Sequence, residues 1–285
     1  MNSSLESAEY SVFKQYDSQF EEIKYPEITK GKEIPVGYHT YSLVIPAYNE
    51  EKRIVPFLEH LKNNLSREWE VIIVCDGNDR TADIARSVSS QFNVLEFKKR
   101  LGKGGAVKEG FKVAHGNIIG YVDADGAISF REIAKVFNVV DGTTQVSVGS
   151  RWVKGSKLVK SQPFLRVILG RFYHYMSFAL LGIRVKDTQC GIKAFEANTV
   201  RNVMNSVTLK NLSFDTAIIF HCMRKGAKIA EVPIVWNDVE GSKVNPIKTA
   251  FIMFLSLLGL RLANSKNKGR FSDIIDTVRD MMENA

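Results

Sequence analysis

Tyr41-Ser42-Leu43-Val44-Ile45-Pro46-Ala47-Tyr48-Asn49-Glu50 is a short apolar run, closed by a proline and followed by polar side chains. It predicts a β-strand over Tyr41–Ile45, with Asn49 capping a helix whose apolar stripe is Ile54, Phe57, Leu58 and Leu61. The alternation then repeats. Val71–Val74, Val94–Phe97, Ile118–Val122 and Val146–Val148 read as buried strands, and Thr81–Val88, Gly104–Ala114 and Ile133–Val140 as helices between them. Strands and helices alternating at this spacing predict βαβ units, hence an α/β fold with a mostly parallel central sheet and helices on both faces.

Around this core the chain has 285 residues, long enough for one large α/β domain or two small ones. With 45% hydrophobic and 25% charged residues it is neither disordered nor collagenous nor a disulfide scaffold. Cys75, Cys190 and Cys222 form an odd set without a C-x-x-C pair, which argues against a zinc knuckle and for a reducing compartment. Met1–Tyr10 is polar and acidic, unlike a signal peptide, and no apolar run reaches the roughly 20 residues of a bilayer span. A protein on the cytoplasmic side is the expectation.

Charge is unevenly placed. Residues 41–150 carry fourteen Lys/Arg and fourteen Asp/Glu, whereas residues 151–270 carry twenty against six. A neutral first half and a basic second half imply different partners for the two, the basic one suited to nucleic acid, a phosphorylated substrate or an anionic membrane face. No helix-turn-helix, zinc finger or RNP aromatic pattern is present, so nucleic acid is not the expected partner. The expected organisation is an N-terminal extension (1–40), a catalytic unit (41–245, halves 41–150 and 151–245) and amphipathic C-terminal helices (246–285).

Ligands of open α/β sheets sit beyond the carboxyl ends of the strands. Three polar clusters fall there: Pro46–Glu50, Asp76-Gly77-Asn78-Asp79 and Asp123-Ala124-Asp125-Gly126. Asp123 and Asp125, as Asp-x-Asp, offer oxygens to a hard cation such as Mg²⁺ or Mn²⁺, which completes its shell with water and substrate phosphates. Gly102-Lys103-Gly104-Gly105 lacks Walker spacing, and no G-x-G-x-x-G follows the first strand, which argues against ATPases and dinucleotide dehydrogenases. That glycine-rich turn is either a simple helix start or an anion site made of backbone amides.

Together, Val44–Glu50, Asp76-Gly77, Gly102-Lys103-Gly104 and Asp123-Ala124-Asp125 resemble the family 2 glycosyltransferases. Gly149-Ser150-Arg151, Asp187-Thr188-Gln189-Cys190-Gly191-Ile192-Lys193 and Glu240-Gly241-Ser242-Lys243 narrow the resemblance to the polyprenyl-phosphate branch, nearest the dolichyl-phosphate glucosyltransferases, over about Tyr41 to Leu262. Cys75 and Ile192 depart from the pattern, standing where such proteins usually carry Asp and Phe. The resemblance implies a GT-A-type nucleotide-binding fold and an inverting transfer from a UDP-sugar, glucose or N-acetylglucosamine, to a polyprenyl or dolichyl phosphate, supplying lipid-linked sugar for N-glycosylation. A soluble family 2 transferase acting on a glycan or protein is the alternative.

The resemblance also implies roles. Pro46, Tyr48, Glu50 and Asp76 hold uridine, Asp123 the ribose or pyrophosphate, and Asp125 the metal, Mg²⁺ or Mn²⁺, that neutralises charge on departing UDP. Lys103 belongs to the donor site and Gln189 contacts the sugar or pyrophosphate. Asp187 orients the acceptor or serves as a nominal base, unless it merely pairs with Arg184 or Lys186. Arg151, Arg166, Arg171 and Lys243 are the candidates for the acceptor phosphate, through charge-assisted hydrogen bonds. To reach a lipid, two apolar stretches with basic flanks, Phe164–Ile183 and Pro246–Leu262, have the composition of interfacial anchors. Otherwise one of the two is a buried helix or an oligomer interface. With the short acidic tail Phe271–Met282, they predict peripheral attachment to a membrane.

Overall fold

The computed structural model describes residues 40–160, 164–238 and 246–265. Its strands are β1 (Tyr41–Ala47), β2 (Trp69–Cys75), β3 (Phe92–Glu96), β4 (Ile118–Val122), β5 (Val146–Ser150), β6 (Lys157–Leu158), β7 (Ile192–Glu196), β8 (Ile229–Pro233) and β9 (Val235–Trp236). Its helices are α1 (Ile54–Asn64), α2 (Thr81–Val88), α3 (Gly102–Val113), α4 (Phe130–Phe137), α5 (Phe164–Leu181), α6 (Ala197–Met204), α7 (Phe214–Arg224) and α8 (Pro246–Ala263). Residues 1–39 of the N-terminal extension, Lys243 and the tail Phe271–Met282 lie outside the described residues.

Seven strands form one sheet in the order β3-β2-β1-β4-β7-β5-β8, and β6 and β9 form a parallel pair of their own. All neighbours in the large sheet are parallel except β7, which runs antiparallel between β4 and β5. The α/β expectation therefore holds. Strand residues alternate between two cores, as a period of two demands. Leu43, Ile45, Val71 and Ile73 face Phe57, Leu58, Ile133 and Phe137 of α1 and α4. Val44, Ile72, Val74 and Tyr121 face Val107, Phe111, Phe214 and Ile218 of α3 and α7.

One expected detail is corrected. Asn49 does not cap α1, whose N-cap position is Arg53. It takes a left-handed backbone (φ 55°), and its side-chain oxygen accepts from the Asn78 amide at 2.9 Å, tying the loops after β1 and β2 together. Asn tolerates this conformation because its short amide bonds locally.

Burial pushes the thiols of Cys75, Cys190 and Cys222 up to about 12, and all three are buried and unpaired. A thiol that stays protonated and enclosed is a poor nucleophile. Alkylation at pH 8 is expected to label none of them over minutes in the native protein and all three after denaturation, counted by intact mass.

Candidate active site

The chain runs β1, β2, β3 toward one edge of the sheet and then returns to place β4 on the other side of β1. That reversal opens a crevice at the carboxyl ends of β1 and β4, where open α/β sheets bind ligands. A cleft of about 1750 Å³ lies there. Pro46, Tyr48, Glu50, Asp76, Lys103, Asp123, Asp125, Arg151, Arg166 and Gln189 all line it, so the structure brings together ten of the residues singled out from sequence.

On the nucleotide side, the Arg100 guanidinium lies 4.2 Å from the centre of the Tyr48 ring. Glu50 is held by Arg53, whose Nη2 donates to Oε1 at 2.8 Å. One oxygen of Asp76 accepts the amides of Leu101 (2.7 Å) and Gly102 (3.0 Å), capping α3 from a distant strand end. The Gly104 amide donates to the Lys210 carbonyl at 2.8 Å. The glycine-rich turn is therefore a helix start whose first amides the protein itself satisfies, rather than an open anion cradle.

Asp123 follows β4 and accepts from Lys103 at 2.8 Å. A Cβ on Gly191 would fall inside contact distance of the Asp123 carboxylate, so the absence of a side chain there makes room for it. Asp125 accepts the Ala127 amide at 3.1 Å. Burial, and then the charge of Asp123, push its carboxyl up to about 6. Among the described residues no three His, Cys, Asp or Glu side chains gather as a metal cage. The donor set still fits a hard divalent cation of the Mg²⁺ or Mn²⁺ kind. Such ions take one or two carboxylates and fill their shell with phosphate and water, and the mutual repulsion of Asp123 and Asp125 is charge that a cation absorbs.

The second half of the cleft is basic and aromatic. Arg151 donates from Nε and Nη2 to the two oxygens of Asp187, both at 2.8 Å, and its backbone amide donates to the same carboxylate at 2.9 Å. Burial lowers the arginine's proton affinity, but Asp187 outweighs it and Arg151 ends above its ordinary value. The Arg151 guanidinium also stacks 4.9 Å from the centre of the Trp236 ring. Gln189 donates to Thr216 at 2.8 Å.

Two expectations change here. Asp187 pairs with neither Arg184 nor Lys186. It is fully buried and outside the cleft lining, so it reaches the site by holding Arg151 and is not placed to act as a base. Arg171 also stays out of the lining and stacks on Trp152 at 4.7 Å. Arg166 does line the cleft, with Asp238 at 3.4 Å.

The sequence reading missed Arg53, Arg100, Trp152, Trp236 and Asp215. Arg100 had a visible signal, as the last residue of the Lys98-Lys99-Arg100 run before α3. Asp215, in the first turn of α7, had none, because an acidic residue there usually serves the helix dipole.

The cleft sits at the strand reversal of a GT-A-type sheet, and the chain is a glycosyltransferase. The glycosyl transferase family 2 model matches residues 42–203, and the chain belongs to that family. A dolichyl-phosphate beta-glucosyltransferase of Dictyostelium discoideum is 32% identical over 260 residues, 85% of this chain and 79% of the relative. That of Saccharomyces cerevisiae is 32% identical over 259 residues, 79% of this chain and 77% of the relative. Among solved structures, glucosyl-3-phosphoglycerate synthase of Mycobacterium tuberculosis, in complex with Mn²⁺, uridine diphosphate and glucosyl-3-phosphoglycerate, superposes with a TM-score of 0.57 at 17% identity, covering 79% of each chain.

Proposed function

We propose that this chain transfers glucose, with inversion, from UDP-glucose to the phosphate of a dolichyl or other polyprenyl phosphate. The observation that carries this reading is one continuous cleft whose acidic end suits a nucleoside diphosphate and whose basic end presents Arg151. The names of the Dictyostelium and yeast relatives support both glucose and the lipid phosphate, and the UDP and Mn²⁺ bound by the mycobacterial synthase support the donor and cofactor class.

In this reading Tyr48, backed by Arg100, faces the uracil, with Pro46, Glu50 and Asp76 close by. Asp123 and Lys103 meet the ribose and diphosphate. Asp125, with Asp123, would hold Mg²⁺ or Mn²⁺, which when bound supplies Lewis-acid stabilisation of the departing diphosphate. Gln189 contacts the sugar, and Arg151 and Arg166 draw in the acceptor phosphate.

A phosphate monoester has a second pKa near ~6 and is largely dianionic at neutral pH. Its oxygen attacks the anomeric carbon as the bond to UDP breaks, and no proton need be removed. A chain whose Asp187 is committed to Arg151 thus loses nothing by lacking a base there. What the reaction requires is cationic side chains that bring one anion up to another.

The lipid tail calls for a surface beside the cleft. Leu165, Ile168, Phe172, Tyr175 and Phe178 line an exposed stripe of α5, with Phe251 of the adjacent α8 also exposed. Among the described residues no helix is long and apolar enough to cross a membrane. The exposed apolar stripe beside the cleft supports peripheral attachment, which we propose to be on the cytoplasmic face, with the chain supplying lipid-linked sugar for N-glycosylation. The double variant Tyr175→Asp/Phe178→Asp is expected to lose most co-sedimentation with anionic vesicles while binding UDP as before, since both side chains are solvent-exposed and lie outside the cleft lining.

The transfer itself is tested with purified protein, Mg²⁺, a short polyprenyl phosphate and a panel of radiolabelled nucleotide sugars. Label from UDP-glucose should enter the organic phase. No transfer from any donor, with UDP still bound, would sink the lipid-phosphate reading.

A further inference from the structure

At the back of the cleft lies a group of charges of which the proposed chemistry uses only Lys103 and Asp123 directly. Asp215 is 1% exposed. Its Oδ1 accepts from Lys193 at 2.5 Å and from the Tyr121 hydroxyl, and its Oδ2 lies 2.9 Å from the Lys103 ammonium. Lys193, the second residue of β7, has no exposed surface and also donates to the Cys190 carbonyl at 2.8 Å. Lys103 reaches past Asp215 to Asp123 at 2.8 Å. Two lysines and two aspartates therefore balance; Lys103, Asp123 and the almost fully buried Asp215 border the cleft, and Lys193 does not.

Stability gives little reason to keep such a group. Buried ion pairs can often be replaced by well-packed apolar side chains at no loss, because removing charges from water costs about what their attraction returns. The geometry points to Asp215 as a positioning residue for donor binding: it holds Lys103 in the cleft as a fixed cation for the diphosphate of a nucleotide sugar. This rests on reading the cleft as a donor site and names a device within it.

Lysine is otherwise a mobile point charge on a four-carbon stem. With Asp215 behind it, Lys103 keeps a carboxylate partner when an incoming diphosphate draws it from Asp123. Asp123 is thereby released toward the ribose or metal, and Lys103 is never left as a buried unpaired charge. The packing serves the same end. A Cβ on Gly104 would lie 2.7 Å from the Phe214 side chain, so the glycine lets the start of α3 approach the start of α7 closely enough for Lys103 and Asp215 to meet.

Calorimetric titration of UDP, with and without Mg²⁺, tests this, with thermal melts confirming the fold. Asp215→Asn is expected to weaken UDP about ten- to a hundredfold, the span of one charge-assisted hydrogen bond, and Lys103→Met by a similar factor. The double variant should bind no worse than Lys103→Met alone, because the aspartate acts through the lysine. Unchanged affinity in folded Asp215→Asn, or a loss that adds fully to that of Lys103→Met, overturns the inference. If Asp215→Asn does not fold, Gly104→Ala takes its place, since it parts the two groups without altering either charge. A several-fold loss supports the inference and wild-type affinity overturns it. A wild-type chain that does not bind UDP overturns the donor reading and this inference with it.

Discussion

Asp187→Ala is expected to cost the fold about 3–5 kcal/mol, the usual result of stranding one partner of a buried ion pair. Arg151 would be left largely enclosed after losing a two-pronged carboxylate that also holds its backbone amide. The second half of the prediction separates positioning from acid–base work. Removing the orphaned charge as well, in Asp187→Ala/Arg151→Met, is expected to recover a substantial part of the lost stability, because the uncompensated guanidinium is gone. Urea denaturation of the two variants and the wild type measures both. If the double variant is less stable than Asp187→Ala by the full cost of a second lesion, the pair is not coupled as its geometry implies. Transfer activity should vanish in both, since each loses Arg151 as an ordered cation.

How much of this was legible without coordinates follows from what each residue must satisfy. The β1–β4 strands and the α1–α4 helices stood out because buried parallel strands are continuous apolar runs and the helices between them carry a 3.6-residue stripe. β7 did not. Its Ile-Lys-Ala-Phe-Glu places a lysine at the second position of a buried strand, which breaks both strand patterns. Asp215, 22 residues further on, supplies the countercharge that makes that burial tolerable. The acidic edge was legible because three strand ends placed it together by topology alone. The pairing of Arg151 with Asp187 was not, since 36 residues and α5 separate them in the chain. Spacing offered Arg184 and Lys186 as nearer partners, and a local rule selects the nearer charge. The start of α3 was missed for a related reason. The cap of α3 comes from Asp76, 26 residues before Gly102, and a sequence window looks for caps only at the adjoining residue.

Asp125→Asn is expected to separate function from stability. In the free protein its carboxyl is held up by burial and then by the charge of Asp123, and such a raised carboxyl weakens the fold at neutral pH, where it is ionised. Replacing it with a neutral amide of the same shape removes that repulsion. The variant should unfold no more easily than the wild type and gain on the order of 1 kcal/mol after discounting for solvent. Activity should move the other way. If Asp125 is the carboxylate that holds the divalent cation, several kcal/mol of stabilisation for the departing diphosphate is lost, about a thousandfold in rate. The Mg²⁺-dependent part of UDP affinity should disappear, while the Mg²⁺-independent part, set by Tyr48, Asp76 and Lys103, persists. Denaturation midpoint, transfer rate and UDP titration with and without Mg²⁺ are read on one preparation. A less stable variant that keeps its Mg²⁺-dependent UDP binding would make Asp125 a structural residue and move the cation to Asp123. The expected opposite movement of stability and rate is what identifies a charge kept for chemistry, because the one amide that Asp125 accepts does not offset its burial and the neighbouring charge of Asp123.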